Sequence, residues 1–233
     1  MDSEVNNERA ANAINQIFAV KAPWPPIAHT TRLENYALNQ SLFEGKHTDV
    51  FTKLNKIFSD DDAEHQKLVL IFNFHKRLST LWADLTFGEE PIVRIEDETK
   101  KIAWKRFAEE TNRLWQACYQ AVIDLSRFGD CVFRLWYDEK KGTRIEAVSP
   151  QKWFPITDPF SDNPLAHVIA YTVDVWDDHI KTTYLKAEIH TPGKIENRIY
   201  VLKDSKLMLE VDPGEFGIEA TIDTGVDEML IIP

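Results

Sequence analysis

Apolar residues recur every three or four positions through the first half of the chain and every second position through the remainder, with the change near residue 128. Residues 8–19 fit a short helix, and "KAPWPPIAHT" (21–30) fits an extended spacer, because each proline removes a backbone donor and restricts its predecessor; Trp24 is its natural anchor. "TTRLENYALNQSLFEG" (30–45) predicts a helix with a threonine cap and Gly45 as its stop, followed by a short helix over 49–58. "SDDDAEHQ" then opens a long helix whose stripe is Leu68, Ile71, Phe74, Leu78, Leu81 and Leu85, ending at Gly88. A second long helix, 99–128, carries Trp104, Ala108, Thr111, Trp115, Cys118, Val122 and Leu125 and closes at Gly129.

Between the two helices lies the elbow "LWADLTFGEEPIVRIED" (81–97), where Gly88 offers backbone freedom, Pro91 fixes the exit and a short alternating strand is expected. Beyond Gly129, Cys131, Phe133, Leu135 and Tyr137 alternate with Val132, Arg134, Trp136 and Asp138, the two-residue repeat of a strand. "DEKKGTR" turns the chain back, and "SPQKWFPITDPFSDNP" is a loop dense in proline and aspartate. His167, Ile169, Tyr171, Val173 and Val175 form one face of a strand over 165–176; Leu185, Ala187 and Ile189 mark the next, with "IENRIYVLKD" and "KLMLEV" after it. The fold class is α+β: N-terminal helices including two long amphipathic ones, followed by an antiparallel β-meander. The expected divisions are an arm and spacer over 1–29, a helical part over 30–128 and a β part over 129–233.

Composition narrows the functional classes. A formal charge of −11 with a pI near 5.1 disfavours a nucleic-acid gripper, which depends on clustered cations. Cys118 and Cys131 are the only cysteines, too few for a secreted disulfide scaffold, so a reducing compartment is expected. The acidic N-terminus lacks the basic region of a signal peptide, and no apolar run approaches the ~20 residues of a membrane span, so no membrane partner is expected.

Each chemistry-bearing feature has a plainer physical reading. Asp60, Asp61, Asp62 and His65 resemble metal ligands, yet acids at a helix start satisfy its orphan donors and dipole without an ion. His65 and His75 do not stand on adjacent turns as a zinc pair does. Asp158, Asp162 and Asn163 lack calcium-loop spacing and read as turn formers, and the adjacent Glu89 and Glu90 point to opposite faces of an extended segment instead of pairing as acid and base. Trp82, Trp104 and Trp115 fall on helix stripes and read as core, whereas Trp136, Trp153 and Trp176 are candidates for a subunit contact, since tryptophan is enriched at interface hot spots. No catalytic, cofactor-binding or metal-ligating residue is assigned.

The order of these elements, a helix ending in "ADLTFGEEP", a second ending in "AVIDLSRFGD", the hairpin "CVFRLWYDEKKGTRIEAVSPQKWFPITDP" and a meander containing "AYTVDV", resembles the portal proteins of tailed bacteriophages of the siphophage type. The resemblance spans roughly residues 30–233 and rests on Gly88, Glu90, Pro91, Gly129, Pro150 and Asp158 in order and spacing. It implies the wing of a portal subunit: a homo-oligomeric ring, typically a dodecamer, at one capsid vertex, surrounded by major capsid or scaffolding protein. That ring docks the terminase, conducts double-stranded DNA non-specifically and later holds a head-tail adaptor. Such a protein resides in the virion and, during assembly, in the host cytoplasm; it has no cofactor and is not an enzyme, consistent with the lack of a G-x-x-x-x-G-K-[ST] loop. The family chain continues into stem, clip and crown, none of which is recognisable here, so "DEMLIIP" is expected to run into a stem in a longer protein. Another head-tail adaptor or virion structural protein, or an α+β ligand-binding module, is the alternative.

Overall fold

The computed structural model describes residues 2–46, 72–158, 164–177 and 179–233. The expected helix over 49–58, the acidic start with Asp60, Asp61, Asp62 and His65, the stripe residues Leu68 and Ile71, and the loop residues Asp162 and Asn163 lie outside the described residues. The architecture is α+β, helices followed by antiparallel strands. It falls into two compact units, Thr31–Gln151 and a discontinuous one of Met1–Thr30 with Lys152–Ile232.

The first unit contains α2 (Thr30–Phe43), α3 (Phe74–Phe87), α4 (Glu98–Lys105), α5 (Leu114–Phe128) and a hairpin of β1 (Val132–Asp138) and β2 (Gly142–Val148); α1 (Asp2–Ile17) belongs to the other. Helix α3 begins at Phe74 because the Asn73 side chain accepts the Lys76 amide at 2.9 Å. It packs on α5 through small residues: Ala83 is fully buried, Ala121 nearly so, and the Ser126 hydroxyl donates to that of Ser79 at 3.1 Å. The apolar stripe of α3 is therefore not its buried face. Phe74, Leu78, Leu81 and Leu85 point outward, with exposures from 49% at Leu81 to 73% at Leu85, and Trp82, read as core from sequence, is 61% exposed.

The second long helix expected over 99–128 is broken. After α4 the chain widens into a π-helical turn, Arg106–Thr111, and then leaves helical geometry at Asn112 and Arg113, the latter with φ of +48°. Asn112 explains the break. Its amide donates to Phe107 O (2.9 Å) and Thr143 O (3.1 Å), while its carbonyl oxygen accepts the Ile145 N–H (2.9 Å), so the side chain replaces helix bonds with bonds to the open edge of β2. The elbow differs too: residues 90–95 form no strand, and Gly88 has an ordinary helical φ of −65°. Glycine is needed there for space, because a Cβ would stand 2.3 Å from Asp84 O. Gly129, by contrast, adopts φ of +86° and returns its N–H to Leu125 O at 2.8 Å, closing α5 as expected.

The second unit is built on a meander: β3 (Trp153–Thr157), β4 (Pro164–Asp177), β5 (Ile180–Thr191), β6 (Lys194–Lys203) and β7 (Lys206–Val211), each antiparallel to the next, with β8 (Thr221–Asp223) also on β6. Leu185, Ala187 and Ile189 of β5 are 0–1% exposed. Helix α1 presents Ala10, Ile14 and Phe18, four residues apart, and Phe18 stacks on Tyr200 of β6 at 5.7 Å. The spacer after α1 then runs along β7: Lys21 N donates to Leu207 O, Leu207 N to Ala22 O, and Trp24 N to Ser205 O. Trp24 is buried against Phe18 and Phe154, as an anchor should be.

Candidate functional site

Within the helical unit, aromatic stacking holds the elbow. Phe87 lies parallel to Trp115 at 6.3 Å, and Trp104 approaches both Trp115 (6.4 Å) and Phe107 (6.1 Å), so these half-buried tryptophans join the end of α3 to α4 and α5. Glu89 and Glu90 are exposed. Below α5, Asp124 is buried yet paired to Arg127 at 2.6 Å; burial raises its pKa above the ordinary carboxylate range against the pull of that guanidinium. Arg127 also covers the rings of Phe43 and Phe128, and the Tyr36 hydroxyl donates to Asp130. Burial, then Asp130, pushes the Tyr36 pKa up, so this polar cluster is a locked joint between α2 and α5.

The break after α4 opens a cavity of about 560 Å³ lined by Arg106, Arg113, Lys141 and Arg144, with Glu110 the one carboxylate among the described residues. Arg144 is fixed there by donating to Thr111 O. Sequence reading missed this gathering, because its cations come from separate elements that the Asn112 bonds to β2 and the Arg144 bond to Thr111 O bring together.

In the sheet unit the most chemistry-like constellation is His167 and His190, directly paired across β4 and β5 and both buried. The Trp153 indole N–H donates to His167 Nδ1 at 3.1 Å, and burial, then His190, pushes the His167 pKa down to about 4. His167 is therefore a neutral imidazole at neutral pH, packed beside His190 in the sheet. Groups of three or more metal-ligating side chains are absent among the described residues, as are helices long and apolar enough to cross a membrane. Burial raises the pKa of both Cys118 and Cys131, the reverse of an activated thiolate.

The sequence-selected residues do not converge on one place. Gly88, Glu90 and Pro91 sit in the elbow, Gly129 ends α5 and Pro150 is buried in a short turn. Asp158 is buried and receives Arg9 of α1 at 2.8 Å, which pins α1 to the end of β3. Of the three interface candidates, Trp153 is only 8% exposed and spends its indole on His167, so it has no surface to offer. Trp136 is half-buried beside Arg134, and Trp176 is 66% exposed near the tip of the β4–β5 hairpin with Ile180 at 69%.

The fold is an α+β scaffold whose polar clusters are joints and whose open apolar surfaces lie on α3 and the β4–β5 tip, the anatomy of a structural subunit. Residues 27–207 match the family model described as phage portal protein, SPP1 Gp6-like. The match covers well over half of the chain, and this protein belongs to that portal family, whose members are structural components of the virion. Comparison with curated proteins returns no match.

Proposed function

We propose that this chain is the wing-bearing part of a portal subunit that assembles into a ring, twelve-fold on the resemblance, at one capsid vertex. Double-stranded DNA passes through the ring during packaging and ejection; the terminase docks on it first and a head-tail adaptor afterwards, with capsid or scaffolding protein around it. Assembly takes place in the host cytoplasm. In this frame 1–29 is an arm, 30–128 the helical part and 129–233 the β part of the wing, and the protein performs no catalytic step. The observation that carries the reading is the family match over 27–207, which runs through both compact units. The outward stripe of α3 and the exposed Trp176 and Ile180 support it, since contiguous apolar surface of this kind marks a contact with another molecule. Trp136 and Trp176 are the tryptophans proposed for that contact.

Native mass spectrometry with electron microscopy of the purified protein tests the proposal. Closed rings of fixed stoichiometry are the expected result. A chain that remains monomeric at every concentration, or that gains thermal stability with nucleotide in proportion to ligand excess, would remove it.

A further inference from the structure

The helical unit gathers four cations at one cavity, and the sheet unit carries a segment with none. Arg106, Arg113, Lys141 and Arg144 line one cavity with Glu110 as its only carboxylate among the described residues, in a protein whose net charge is −11. Among the described residues, Arg106, Arg113 and Lys141 are held in no ion pair. From residue 207 to residue 233 there are seven acidic residues and not one Lys or Arg. Asp212 and Asp223 spend their carboxylates on their own turns, accepting from Gly214 N and Gly225 N. Glu215, Glu219, Asp227 and Glu228 are exposed and, among the described residues, accept no such bond.

We propose that the cavity of Arg106, Arg113, Lys141 and Arg144 receives the acidic segment around Glu215–Glu228 of a neighbouring copy of this chain. The inference rests on the reading of the protein as a ring subunit. Two different surfaces that complement each other make a head-to-tail contact, the kind that closes a ring of more than two copies. Opposite charge at such a contact sets register and excludes wrong docking, and like charge there is costly. A polyanion such as DNA is the poorer occupant: the same surface that attracts it at one cavity repels it with a net −11 elsewhere, whereas every copy brings its own acidic segment.

Two charge-reversed chains test this directly. One carries Arg106→Glu with Lys141→Glu, leaving Arg144 to its bond with Thr111; the other carries Glu215→Lys, Glu219→Lys, Asp227→Lys and Glu228→Lys, so that the segment becomes net positive with only Asp223 left acidic. All six side chains are exposed, so each variant should keep the wild-type circular dichroism and melting behaviour. Each alone should lose about tenfold or more in association, read by sedimentation velocity at moderate salt. Mixed one to one, they present opposite charges at both kinds of junction, and association should return as an alternating assembly. Single variants that assemble like wild type, or a mixture that stays apart while wild type forms rings, overturn the inference and leave the ring reading standing. A wild-type chain that does not associate removes both.

Discussion

The two compact units solve the same problem in different ways. The sheet unit closes its core: Leu185, Ala187, Ile189, Val168 and Leu207 are all at or below 1% exposure, and even its two central histidines are enclosed. The helical unit spends small residues, Ala83, Ser79 and Ala121, on its seam and leaves Phe74, Leu78, Leu81 and Leu85 in solvent. Burial of an apolar side chain is worth about 1.5–3 kcal/mol, so the helical unit forgoes several such contributions. A unit finished by itself and a unit with apolar surface to spare should respond to mutation in opposite ways.

The largest effect should fall in the sheet. Leu185→Ala removes a fully buried side chain from its central strand and should cost about 2–5 kcal/mol in chemical denaturation, independent of protein concentration. Acid should act on the same core. Between pH 6.5 and the folded-state value of about 4, the unfolded chain takes up a proton at His167 that the folded sheet refuses. Stability is therefore full at neutral pH and falls as pH drops through that window, by on the order of 3 kcal/mol, flattening below it. His167→Gln should abolish that slope.

Smaller changes address the seam and the open stripe. Ala83→Leu inserts bulk where α3 meets α5 and should destabilise by about 1–3 kcal/mol. Leu81→Ser with Leu85→Ser changes larger, exposed side chains, yet should leave folding stability within about 0.5 kcal/mol per site while weakening self-association. A loss in stability as large as that of Ala83→Leu would erase the contrast between seam and stripe.

Much of this was legible along the chain. The alternation from Val132 to Asp138 and the strands around His167 and Leu185 carried their own period, and Gly129 announced the end of α5. The orientation of α3 was not, because periodicity reveals that a helix has two faces and not which one the neighbouring helix selects; Ser79 and Ala83 settled it by permitting close approach. The break at Asn112–Arg113 was hidden because neither glycine nor proline marks it and the helical period continues on both sides. Its cause is a side chain bonded to a strand some thirty residues later. The basic cavity depends on that same junction and was invisible for the same reason.

The pairing of the spacer with β7 sets a schedule for synthesis. Lys21, Ala22 and Trp24 leave the ribosome early, but the backbone groups they bond, on Ser205 and Leu207, emerge some 180 residues later. At translation rates of about 5–20 residues per second the arm waits roughly 10–40 s for its partner, long enough for Thr31–Gln151 to emerge in the interval. During that wait Phe18 and Trp24 have no sheet to stack on, and a nascent chain halted before residue 205 would expose both to chaperones.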